Sequence, residues 1–164
     1  FDIDLFAKGK RPAINPFLSV SRVGRQTQSS LKLTLNRELT SFLTIGHRLE
    51  SFSHFSEEAG PEVIRTLKVS ERIDAFFTQS ASEITNLDLQ LVIFGLLWRD
   101  TWQNMNSMQE DIKKIQKAYD EKIEIQTVIR EMVTNSVDLN NMLEVIMKRK
   151  EELFKLLGFN LNTN

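Results

Sequence analysis

The chain of 164 residues contains no cysteine, which excludes disulfides, thiolate nucleophiles and cysteine-bearing zinc sites. Histidine is almost as scarce: His47 and His54 cannot by themselves build a histidine-rich metal centre. They lie seven apart, close to two helical turns, but no carboxylate or third ligand shares that spacing, so they read as surface or rim side chains. No metal ligand set is assigned. Charge of one sign is not in excess either. Lys and Arg total 21 against 22 Asp and Glu, a formal net charge of -1, which argues against a whole-chain electrostatic footprint for nucleic acid or anionic lipid. Long hydrophobic runs are missing as well. The longest, Leu91 to Trp98, has eight residues where a membrane span needs about 20, so a buried helix is expected there and no direct membrane insertion.

The phosphate-binding and metalloprotease signatures Gly-x-x-x-x-Gly-Lys-Ser/Thr, Gly-x-Gly-x-x-Gly and His-Glu-x-x-His do not occur, so the chain has no glycine loop with which to hold a nucleotide's phosphates. Ser29-Ser30-Leu31-Lys32 matches a Ser-x-x-Lys nucleophile pattern formally, at the start of a helical stretch and without the companion motifs of an acyl-transfer site. The chain opens on Phe1 rather than Met with no signal-peptide pattern, and a fragment or processed product is expected. With 41% hydrophobic and 26% charged residues in this length, roughly one folded domain with a real core is expected.

Proline and glycine are unevenly placed. Pro12, Pro16 and Pro61 all precede residue 62, and beyond it only Gly95 and Gly158 interrupt the chain. The last hundred residues therefore read as helices. Leu31, Leu35, Leu39, Phe42 and Leu43 recur at three and four residues, marking a first helix whose stripe Gly46 is expected to end. After the turn-like Ser56 to Pro61, Val69, Ile73, Phe76 and Phe77 mark a second helix. Ser80 to Glu83 and Thr85 to Asp88 fit the Ser/Thr-x-x-acid cap, so a third helix should start near 83 to 86 and carry the apolar run at the centre of the fold. Ser107 to Glu110 is a further capping box, followed by the stripe Ile112, Ile115, Tyr119 and Ile123 of a fourth helix. Val128, Ile129, Met132 and Val133 continue that helix or begin another. Leu139, Met142, Leu143, Ile146, Leu153 and Leu157 supply the last stripe, with Gly158 as its C-terminal cap and a frayed tail beyond. Residues 103 to 164 carry nine basic and ten acidic side chains, a solvated helix surface.

The first thirty residues differ. Gly9, Pro12, Asn15, Pro16 and Gly24 break any period, and Phe17 to Ser21 reads as a short strand or extended loop. Lys8, Lys10, Arg11, Arg22 and Arg25 face only Asp2 and Asp4, which leaves this segment a local excess of three positive charges. It is either an anion-facing edge or a solvated basic loop. Glu57, Glu58 and Glu62, around the Gly60-Pro61 turn, read as solvated carboxylates.

The stretch Arg11-Pro12-Ala13-Ile14-Asn15, followed by Leu18-Ser19-Val20-Ser21-Arg22-Val23-Gly24, closely resembles the end of the nucleotide-binding domain in the alpha subunit of F-type ATP synthases. The paralogous beta subunit departs from it at the Val-Ser-Arg-Val-Gly element. Weaker similarity runs through Asn36-Arg37-Glu38, Phe42, Gly46 and Val92-Ile93-Phe94, and past about residue 100 only a helical pattern remains. The resemblance implies an all-α fold: a C-terminal helical bundle over residues 28–164, preceded by a short strand or loop segment, residues 1–27, left over from the α/β nucleotide-binding domain.

It also implies a function. Arg22 matches the arginine finger that enters the catalytic site of the neighbouring beta subunit, with Val20 and Ser21 at the same interface. Phe6, Arg11 and Gln79 match positions near the non-catalytic nucleotide of alpha itself. The family's second glutamine there is Ala81 here, and its following Tyr-x-Pro is missing. ATP or ADP with magnesium is therefore expected at the subunit interface and not on this piece alone, which should have no activity by itself. The implied partners are beta subunits, the central-stalk gamma subunit and the N-terminal remainder of alpha, in a complex lying peripherally on an energy-transducing membrane, at the bacterial cytoplasmic face or inside an organelle. The family's rotor-facing turn, usually Gly-Ser-Asp-Leu-Asp, reads Gly46-His47-Arg48-Leu49-Glu50 here. That departure suits an alternative, a structural helical module of an alpha-like paralogue in an ATPase that does not pump protons.

Overall fold

The computed structural model describes residues 30–52, 60–78, 86–102 and 105–158, and among them every regular element is an α-helix. The six are α1 (Ser30–Phe52), α2 (Pro61–Thr78), α3 (Leu87–Trp98), α4 (Met105–Glu121), α5 (Ile123–Thr134) and α6 (Leu139–Leu157). A helical fold agrees with the expectation. The helices fall into two compact units on either side of the boundary between Glu83 and Ile84, α1 and α2 in the first, α3 to α6 in the second.

In the first unit α1 and α2 pack on one another. Pro61 suits the first position of α2, where its missing N–H is not needed, and the N–H groups of Val63 and Ile64 donate to the Gly60 carbonyl at 3.0 and 3.2 Å. Leu31, Val69, Ile73 and Phe76 are buried, whereas Leu35, Leu39 and Phe42 are half-buried. Gly46 does not end the first helix. α1 runs on through it to Phe52, and the Gly46 to Glu50 segment, read from the resemblance as a turn, is helical. A lone glycine costs a helix only about 1 kcal/mol, and here its missing side chain is what lets α2 approach. A Cβ at position 46 would lie 2.8 Å from the Cβ of Ser70 and would collide with its Oγ.

In the second unit α3 is central and touches α4, α5 and α6. Leu89 and Leu91 to Leu97 are all buried, as an all-round apolar helix too short to span lipid must be. Gly95 admits α6: a Cβ there would meet Cδ1 of Ile146 and, at 3.5 Å, Cδ2 of Leu143. The helix starts where expected, although Asn86 rather than Thr85 caps it, its Oδ1 accepting from the Leu89 N–H at 3.1 Å. It ends with Asp100 in the left-handed region at φ 54, where the Asp100 N–H donates to Leu97 O at 2.9 Å and the Thr101 N–H to Leu96 O at 3.1 Å. That pair of bonds is a Schellman cap made without glycine.

Two expectations fail in the following segment. α4 begins at Met105, so Ser107 lies inside its first turn and is not the cap. Met108, Ile112, Ile115 and Tyr119 hold the buried stripe, but Ile123 is 77% exposed. The reason is Lys122, whose extended backbone (φ -121, ψ 113) stops α4 and restarts the chain as α5, so the stripe does not carry across the break. The junction is well tied. Gln126 Nε2 donates to the Tyr119 carbonyl at 2.8 Å, and Lys122 Nζ donates to the Leu156 carbonyl near the end of α6 at 3.3 Å. Thus Val128, Ile129 and Met132 begin a separate helix and are buried in it with Ile125. α6 buries Leu139, Met142, Leu143, Ile146, Leu153 and Phe154, and Gly158 caps it at φ 72 as expected. Its N-terminus is capped by Asp138, whose Oδ1 accepts from the Asn141 N–H at 2.9 Å, while Asn141 Oδ1 accepts in return from the Val137 N–H at 3.2 Å.

Candidate functional site

All the site residues expected from the sequence, Phe6, Arg11, Val20, Ser21, Arg22 and Gln79, lie outside the described residues, as do Phe17 to Ser21, expected as a short strand or extended loop, His54 and Ala81. What is described is the scaffold that flanks them in sequence. α1 follows the basic entry segment, and α2 leads directly to Gln79. Glu62, in the first turn of α2, is exposed beside the positive end of the helix dipole, where an acid is stabilised. Arg72, one turn before the buried Phe76, is the charged side chain buried in this unit among the described residues, and it is partnered.

Ionic and polar groups in the second unit fasten helices to each other. Arg149 on α6 holds Glu152 of its own helix at 2.8 Å and Glu131 of α5 at 2.9 Å. The hydrogen bonds to Glu152 and then Glu131 raise the guanidinium's pKa above its already high ordinary value despite partial burial. The reciprocal bond from Arg149 lowers the Glu152 carboxyl below the usual carboxylate range. Trp102 donates its indole N–H to Asp111 Oδ2 at 3.1 Å, pinning the α3–α4 connection to α4, and Lys114 pairs with Asp111 at 3.4 Å. Among the described residues no three acidic or histidine side chains converge as a metal-binding group would require. These contacts position helices; none assembles a nucleophile with a base. Sequence reading misses the Arg149–Glu131 pair because eighteen residues separate the partners, although Arg149 and Glu152 at a spacing of three could have signalled half of it.

Curated relatives carry the decision on kinship. The ATP synthase subunit alpha of Rickettsia bellii is 28% identical over 158 aligned positions, covering 84% of this chain and 31% of that protein. That of Carsonella ruddii is 31% identical over 99 residues, 60% of this chain and 21% of the relative. The chain is homologous to ATP synthase alpha subunits. ATP synthase subunit alpha 2 of Legionella pneumophila strain Corby adds 34% identity over 94 residues, 57% of this chain and 18% of the relative. No protein-family model and no solved structure matches the chain. The chain spans less than a third of the length of these alpha subunits, in keeping with the C-terminal portion that its opening segment implies. The similarity also reaches further than the sequence reading placed it: 84% of the chain cannot fit within its first 100 residues, so part of the helical second unit shares it. No helix of the described residues is long and apolar enough to cross a membrane.

Proposed function

We propose that the chain works as the C-terminal part of an ATP synthase alpha subunit, with Arg22 as an arginine finger for the catalytic site of a neighbouring beta subunit and the helices as packing around the central stalk. The observation that carries this reading is the unbroken string Leu18-Ser19-Val20-Ser21-Arg22-Val23-Gly24 in a chain homologous to alpha subunits. Phosphoryl transfer places developing charge on the equatorial oxygens of the transferred group, and a planar guanidinium that never deprotonates stabilises it through several hydrogen bonds. Pro12 and Pro16 stiffen the segment leading to Arg22, which lowers the cost of aiming it. Magnesium and nucleotide lie at the interface with the neighbouring subunit in this reading, since the sequence carries no glycine loop of its own for the phosphates. The partners are beta, gamma and the N-terminal part of alpha, in a peripheral complex that makes or hydrolyses ATP coupled to ion transport.

The test is ATP hydrolysis by the assembled complex. Arg22→Ala should lower turnover about 10³- to 10⁵-fold while weakening nucleotide binding much less, because the finger acts mainly in the transition state. Arg22→Lys should rescue little. Unchanged turnover in the Ala variant would remove the catalytic role. It would favour the alternative, a structural module of an alpha-like paralogue, which the sequence departures at Gln79-Ser80-Ala81 and Gly46-His47-Arg48-Leu49-Glu50 support.

A further inference from the structure

We draw no further inference here: the strongest candidate, the exposed apolar side chains of Ile123 at the start of α5 and Val137 between α5 and α6, carries nothing, because nothing in the structure shows what covers them.

Discussion

The two units bury their helices in different ways. In the second, four helices enclose a common core, and α3 has no polar face to give to solvent. In the first, two helices share one line of contact, close enough at Gly46 and Ser70 to need the missing side chain, while Leu35, Leu39 and Phe42 remain half-buried among the described residues. Among the described residues the first unit offers a seam between two helices and the second an interior among four. The energetics should follow. Stability in the second unit rests on many interdependent side chains, and the contact between α1 and α2 in the first on how closely two backbones approach.

The largest expected effect tests that contrast directly. Phe94→Ala removes a ring packed inside the second unit, 5.3 Å from Trp98, and should cost roughly 3 to 5 kcal/mol, whereas Phe42→Ala in the first should cost less than half as much. Denaturant unfolding gives the totals, and amide hydrogen exchange reads each unit separately. Equal losses would mean that the first unit has an interior as complete as the second.

Next come the two packing glycines. Alanine gains each helix up to about 1 kcal/mol of propensity, so the sign depends on what the new methyl meets. At Gly95 it meets the tip of Ile146, which can turn, and the net change should stay within about 1 kcal/mol. At Gly46 it meets the Cβ of Ser70, which moves only with its backbone, and the net cost should be about 1 to 3 kcal/mol. A stabilised Gly46→Ala would show that α1 and α2 separate easily and that close approach is not what holds the hairpin. Asp138→Ala is a smaller probe confined to the second unit. Loss of the cap on α6 should cost about 1 kcal/mol and raise exchange at the Asn141 amide without reaching α1 or α2.

The smallest effect is electrostatic. Glu152 has its carboxyl pKa lowered by Arg149, so its contribution is present above the ordinary glutamate value of about 4.3 and disappears as pH falls through the lower folded value. Arg149 is shifted the other way, so its contribution is lost only at alkaline pH beyond any useful range. Both side chains are partly exposed and solvent screens them. Glu152→Gln should therefore flatten stability slightly below pH 4.3 or so and leave neutral stability almost unchanged, as thermal melts across that range would read. A large loss at neutral pH would make the ion pair a main support of the second unit.

Sequence pattern revealed most of the second unit because its signals are local. An all-round apolar Leu91 to Trp98 has only one soluble solution, and Gly158 ends a stripe at a position that requires φ above zero. The misses have tertiary causes. Gly46 reads as a stop until the partner that needs its small size is known, and Ile123 reads as core until Lys122 takes an extended conformation tied to the distant Leu156 carbonyl. Ser107 fits a cap by type, but the helix already includes it. For the candidate site, charge counting singled out the basic entry segment without saying what it faces; Arg22 gained a role only through likeness to alpha subunits, since no spacing rule distinguishes a finger from a solvated arginine.

The contact between Gly46 and Ser70 also has a mechanical side. One helical turn along α2 in either direction, the residue opposite Gly46 would be Thr66 or Leu67, or else Ile73 or Asp74, and each of these is bulkier than serine. The two helices therefore engage like a key in a keyway, seated at one axial setting and blocked at the next. What the missing side chain fixes is the axial register of α1 against α2, since a shift of one turn would bring a bulkier side chain against the Gly46 backbone.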